Sequence, residues 1–182
     1  MKPVQLSQFR DTKSILTRQD YDEYNFIYAL LRLLFPQEKR TAFSTLKAKY
    51  FDKFDLHGVK APLGFRDIKK LIKQNSWIDA TVNLVYFSGN QCFPFKLIGQ
   101  GSKVLSFLFI RESSPDGFTS HFFPIINFDT FINKKPKNKY WFCYNCHYRC
   151  RSPEEREKHF QDCKDGRVLQ KKTFLLQMAM QI

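Results

Sequence analysis

The chain has 182 residues, 43% of them hydrophobic and 20 of them phenylalanine, which excludes a disordered protein and suits one compact domain of about 130 residues with a small appended unit. No apolar run reaches the roughly 18 residues of a membrane-spanning helix, and the polar start "MKPVQLSQFRDTKSILTRQ" lacks the apolar stretch of a secretion signal. The net charge of +13 falls largely in two blocks: ten basic against three acidic residues from Lys39 to Lys73, and twelve against five from Lys134 to Lys172, so each carries +7. Such blocks suit a polyanionic partner, nucleic acid first, or else form a solvated basic surface.

Residues 1–19 read as a loose arm. "DYDEYNFIYALLRLLFP" predicts a helix buried on nearly every face, with Asp20 as cap, Glu23 three residues on, and Pro36 as its end. "KRTAFSTLKAKYFDKF" predicts a second, more polar helix, and "HGVKAPLGF" a turn-rich connector. "FRDIKKLIKQN" predicts a short amphipathic helix, with Ile68, Leu71 and Ile72 inward and Lys69, Lys70 and Lys73 outward.

From Ala80 the period changes. "ATVNLVYFS" predicts a strand, Gly89-Asn90 a hairpin turn, and "CFPFKLIG" its partner. "GQGS" leads into "KVLSFLFI", a nearly continuous apolar run of the central-strand type. "RESSPDGFTS" reads as a loop and "HFFPIINF" as a fourth strand. Helices followed by strands predict an α+β domain over residues 20–132, its N-terminal helices packed on an antiparallel meander. A lysine-rich linker, 133–140, leads to a small unit at 141–165. The segment 166–182 reads as a docking helix or as the start of a further segment, and the opening Met favours a natural N-terminus.

The small unit carries the sharpest signal. Cys143 and Cys146 are two residues apart, twelve residues separate Cys146 from His159, and three separate His159 from Cys163. This is the ligand spacing of a ββα zinc finger with its last histidine exchanged for cysteine. A two-residue gap lets one turn aim two thiolates at a point, and positions i and i+4 share a helix face. Ser152, Pro153 and Glu155 predict the start of that helix. Four protein ligands leave no open position, so one structural Zn2+ is expected. Cys150 stands where such fingers place a core phenylalanine and reads as a small buried group. His147 reads as solvent-facing, and Arg156 occupies a position normally held by a core leucine. The helix start, Ser152, Pro153, Glu154 and Glu155, is poor in groove-reading chemistry, although Arg149 and Arg151 flank it. Four of five cysteines clustered here argue for a reducing, intracellular compartment rather than for disulfides.

In their order, "YNFIYALLRLLFP", "YFDKFDLHGVKAPLGFRDIKKLIKQN", "TVNLVYF", "CFPFKLI", "SFLFI", "SHFFPIINFDTFI" and "KYWFCYNCHYRC…HFQDC" resemble one family. The likeness is to the region upstream of the catalytic core in protein-primed family-B DNA polymerases of Maverick/Polinton-type elements and related viruses, over roughly residues 20 to 165. It implies a fold like that of papain-like or OTU-like cysteine proteases, with a cysteine at the first helix and a histidine on a later strand. That chemistry needs a thiolate whose pKa is lowered at a helix start, within reach of an imidazole. Here His121 is retained, with Asn127 or Asp129 as its orienter, but the cysteine position falls on Asn25, which cannot act as a nucleophile. Cys92, on a predicted strand, is a poor substitute. His121 then reads as a strand-edge residue kept for hydrogen bonding, and the fold as inactive. No carboxylates are placed for two-metal nucleotidyl transfer.

The resulting expectation is a non-catalytic, zinc-stabilised module that binds nucleic acid, DNA ahead of RNA, or docks on a polymerase core or replication protein. Lys69, Lys70 and Lys73, the linker residues Lys134, Lys135, Lys137 and Lys139, and Arg149 and Arg151 would make the phosphate contacts. The nucleus is the expected compartment. The alternative is a degenerate protease-like domain that binds ubiquitin or another protein.

Overall fold

The computed structural model describes residues 23–38, 40–88, 91–114, 117–133 and 140–164. The expected arm, the Gly89-Asn90 turn, the four linker lysines and the C-terminal tail lie outside the described residues.

Helix α1 (Asn25–Leu34) buries seven consecutive residues, Phe26 to Arg32, and so has core on every side. Its residue sequence, crowded with apolar groups, predicts this. The helix starts at Asn25, and Tyr24 caps it without a side-chain hydrogen bond; the expected cap, Asp20, lies outside the described residues. A short 3₁₀ turn, Pro36–Glu38, leads to α2 (Phe43–Tyr50). Glu38 is buried in this corner, accepting hydrogen bonds from Thr41 Oγ1 at 2.6 Å and Tyr50 OH at 3.1 Å, and pairing with Lys49. The bond from Lys49 is the main reason its carboxyl titrates at about 2. Helix α3 (Phe65–Gln74) buries Ile68, Leu71 and Ile72 and exposes Lys69, Lys70 and Lys73, as its period predicts. The buried Asn75 ends it and ties in the preceding connector, donating to the carbonyls of Leu71 and Asp55 and accepting from the Asp55 amide at 2.8 Å.

Four strands follow: β1 (Ala80–Ser88), β2 (Gln91–Ile98), β3 (Lys103–Ser114) and β4 (Gly117–Ile125). Their order in the sheet is β2-β1-β3-β4, with β1 and β3 parallel and the outer pairs antiparallel. The expected antiparallel meander is therefore corrected to a mixed sheet. The reason is legible in Pro94 of β2. A meander would put β2 inside the sheet, where Pro94 would interrupt a ladder on one side; at the edge it is tolerated. The register of β2 also slips between Leu84 and Val85 of its partner, next to that proline. Pro124 lies on the other edge strand, and the two apolar runs β1 and β3 take the centre.

This order requires the chain to pass from β2 to β3 across the start of β1 in four residues, Gly99–Ser102. Gly99 has φ +87°, and a Cβ at Gly101 would collide with the Ala80 amide nitrogen, so no side chain fits at that position of the crossing. Asp79, itself at φ 40°, receives the loop by accepting from the Ser102 amide at 3.0 Å and bonding its hydroxyl. Strands β3 and β4 also run through much of the expected loop 111–120, pairing from Arg111–Ser120 out to Ser114–Gly117.

Both faces of the sheet are covered. Val82, Leu84, Phe107, Phe109 and Phe122 face α1, α2 and α3; Val85, Leu108, Phe123 and Ile125 face the other way. That second face receives α4 (Phe128–Ile132) and a C-terminal ββα unit of β5 (Trp141–Phe142), β6 (Arg149–Cys150) and α5 (Pro153–Lys164). The fold is thus α+β with a small zinc-finger-like unit. Among the described residues, no helix is long and apolar enough to cross a membrane.

Candidate metal centre

In the C-terminal unit, β5 and β6 are joined by a tight knuckle. The Cys143 amide donates to the Tyr148 carbonyl and the His147 amide to the Cys143 carbonyl, both at 2.9 Å. His147 closes the turn at φ 59°, a left-handed conformation that histidine tolerates better than most residues. Ser152 starts α5 as its sequence predicts: Oγ accepts from the Glu155 amide at 3.1 Å, and the Glu155 carboxylate accepts from the Arg151 amide at 2.7 Å.

These two devices bring Cys143, Cys146, His159 and Cys163 together. Their ligand atoms all lie within 4.8 Å of one another, with Cys146 Sγ 3.2 Å from His159 Nε2. Cys143 and Cys163 are buried, Cys146 and His159 half-buried. Three thiols compete for protons here. The Cys143 hydrogen bond, chiefly, pulls Cys146 down to about 4, while its bond to Cys146 and then burial push Cys143 up. Burial likewise raises Cys163. A thiolate already favoured among two raised thiols is a donor set that a soft cation satisfies better than protons do. Asn145, between the paired cysteines, donates to Cys163 Sγ at 3.2 Å and to its carbonyl at 3.1 Å, tying the knuckle to the end of α5. The four residues fit a metal ion.

The spare candidates fall outside this set. Cys150 is fully buried, as its position predicts. His147 does not point freely to solvent: its ring packs on Phe128, centroids 5.6 Å apart. The atypical Arg156 also finds its explanation. Its guanidinium donates to Asp129 Oδ2 at 2.9 Å and lies over the Tyr144 ring. Asp129 Oδ1 accepts from the Phe142 amide at 2.8 Å. With Phe128 against Tyr144, and Leu97 and Val104 against the cluster of Cys143, Phe160 and Cys163, these contacts seat the unit on the sheet. Sequence reasoning missed this role, and its one signal was a charge at a leucine position.

The protease-type candidates are not brought onto one face. The Asn25 amide donates to the Ser120 carbonyl at 3.2 Å, on the α1 side. Phe122 packs against Phe26 on that side, so strand alternation turns the buried His121 to the opposite face. Asn127 caps α4, accepting from the Thr130 amide at 3.0 Å. Asp129 serves the C-terminal unit. Cys92 is half-buried in the cluster on the second face.

Of the phosphate-binding candidates, Lys69, Lys70, Lys73, Arg149 and Arg151 are exposed. Helix α3 sits on one face of the sheet and the C-terminal unit on the other, so the two groups occupy opposite sides. Lys134, Lys135, Lys137 and Lys139 lie outside the described residues. Compared with family models, with curated proteins and with solved structures, the chain matches none of them.

Proposed function

We propose that this chain is a non-catalytic nucleic-acid-binding module whose C-terminal unit is held by one structural zinc ion. The observation that carries the reading is the closed Cys143, Cys146, His159, Cys163 cluster on a strongly basic chain. Cysteine-rich tetrahedral sets favour zinc, and four protein ligands leave no position for a substrate or an activated water. The ion's work is to fold a unit too small to be stable on its own apolar core. The exposed cations on α3 and on the β5–β6 hairpin then supply phosphate contacts from two sides of the sheet, DNA ahead of RNA. The resemblance to the region before the catalytic core of mobile-element and viral family-B DNA polymerases is the ground for linking this binding to DNA replication.

The test is the salt dependence of binding to a random-sequence duplex. Each neutralised phosphate should contribute a slope of about −0.9 in log K against log salt, so five contacts give roughly −4 to −5.

One observation favours a second reading, a protein-binding module. Ile126 is 51% exposed at a cleft of about 280 Å³ lined also by Pro36, Ile125, Phe128 and Tyr144. A partner seated there would bind with a shallow salt dependence, which sets the two readings apart.

A further inference from the structure

The knuckle of the C-terminal unit leaves one aromatic ring open. Tyr148 is 54% exposed, yet its ring lies flat on the imidazole of His159, centroids 4.6 Å apart and planes 16° from parallel. Arg149 and Arg151 beside it are both exposed, and the Arg149 guanidinium sits 4.4 Å over the ring of Tyr140. Cys150 between them is buried. The segment 148–151 therefore carries an exposed aromatic stacked on His159 together with two exposed cations two residues apart.

The helix of the same unit offers the opposite. Its first turns expose Glu154, Glu155 and Glu157, and Arg156 is committed to Asp129. The end that reads a duplex groove in DNA-reading fingers would here repel phosphate. The hairpin edge would attract it.

We propose that the Tyr148 edge is a stacking site for an unpaired base of single-stranded nucleic acid, with Arg149 and Arg151 neutralising the flanking phosphates. This rests on the nucleic-acid reading above and narrows it to strands whose bases are accessible. The incoming base extends the column of Tyr148 and His159 on its open side. Because His159 is tied to the metal site, Tyr148 is already ordered and loses little freedom on binding. Stacking of this kind tolerates any base, since every base has a π-face.

The test uses the full zinc-loaded chain and fluorescence anisotropy with labelled oligothymidylate, oligouridylate and a duplex of equal length at one fixed salt concentration. Both single strands should bind more tightly than the duplex; tight binding of one alone also supports the site. Tyr148→Leu should lower single-strand affinity by about 5- to 150-fold and leave duplex affinity unchanged, while Tyr148→Phe should match the parent. Zinc content is measured on each variant. If the leucine variant loses zinc, a footprint of the parent decides: Tyr148 should be protected from iodination by the single strand and not by the duplex. Equal affinity for all three ligands with an unaffected leucine variant, or an unprotected Tyr148, overturns the stacking site and leaves the nucleic-acid reading standing. Failure to bind any of them at low salt overturns both.

Discussion

Arg156 on α5 and Asp129 on α4 meet at 2.9 Å, and Asp129 also holds the Phe142 amide with its second carboxylate oxygen. One carboxylate thus bonds both the first strand and the helix of the C-terminal unit. Asp129→Ala should cost about 2–3 kcal/mol and Arg156→Ala about 1–2, because the first removes two hydrogen bonds to a charged group and the second removes one. Urea titrations of both variants and the double mutant should show a coupling of about 1 kcal/mol. Single losses that simply add would show that the two residues do not act through each other.

Elemental mass spectrometry should find about one equivalent of zinc per chain. Cys143→Ser should lose it and Cys150→Ala should keep it, since Cys150 is buried outside the cluster. Loss of zinc from Cys150→Ala would redraw the ligand set.

Metal removal should also reach the sheet. Leu97 and Val104 pack against the buried part of the metal unit, and Val85, Leu108 and Phe123 lie in the cluster that includes Phe142 and Tyr144. Chelation should therefore raise amide hydrogen exchange in β1 and β3, as well as in α5. Unchanged protection of both strands would mean that the unit folds and unfolds independently.

Glu38 predicts a pH dependence with a definite sign. Its carboxyl lies at about 2 in the fold against an ordinary 4.5, so its contribution is complete above pH 4.5 and is lost as the pH falls toward 2. Glu38→Gln should lower the denaturation midpoint at pH 7, and the gap from the parent should close by pH 2. A gap independent of pH would assign the effect to packing alone.

The chain should not react with thiol-directed ubiquitin probes, and Asn25→Cys should not restore reactivity, because His121 faces away from α1. Labelling of the Asn25→Cys variant, or labelling of the parent that Cys92→Ser abolishes, would make this a live hydrolase scaffold.

Changing Lys69, Lys70 and Lys73 together to glutamine should flatten the duplex salt slope by up to about 2.7, and changing the four linker lysines by up to about 3.6. If neither set alters the slope, these lysines are solvated surface.

The sequence by itself determined what depends on local spacing. The metal quartet follows from a turn and a helix repeat, the buried face of α3 from its period, and β1 from a β-branched and aromatic run followed by the turn signal Gly89-Asn90. Even Arg156 was visible as an anomaly, a cation where a small finger wants a leucine. Tertiary structure decided what depends on residues far apart in the chain. Whether β3 pairs with β2 or crosses to β1 is a choice between edges, favoured by Pro94 on β2 and a glycine crossing rather than by any single strand's pattern. The partner of Arg156 lies 27 residues upstream, so no local rule points to it. The separation of Asn25 from His121 follows from alternation on a strand whose inward side is known only once α1 is seated on it.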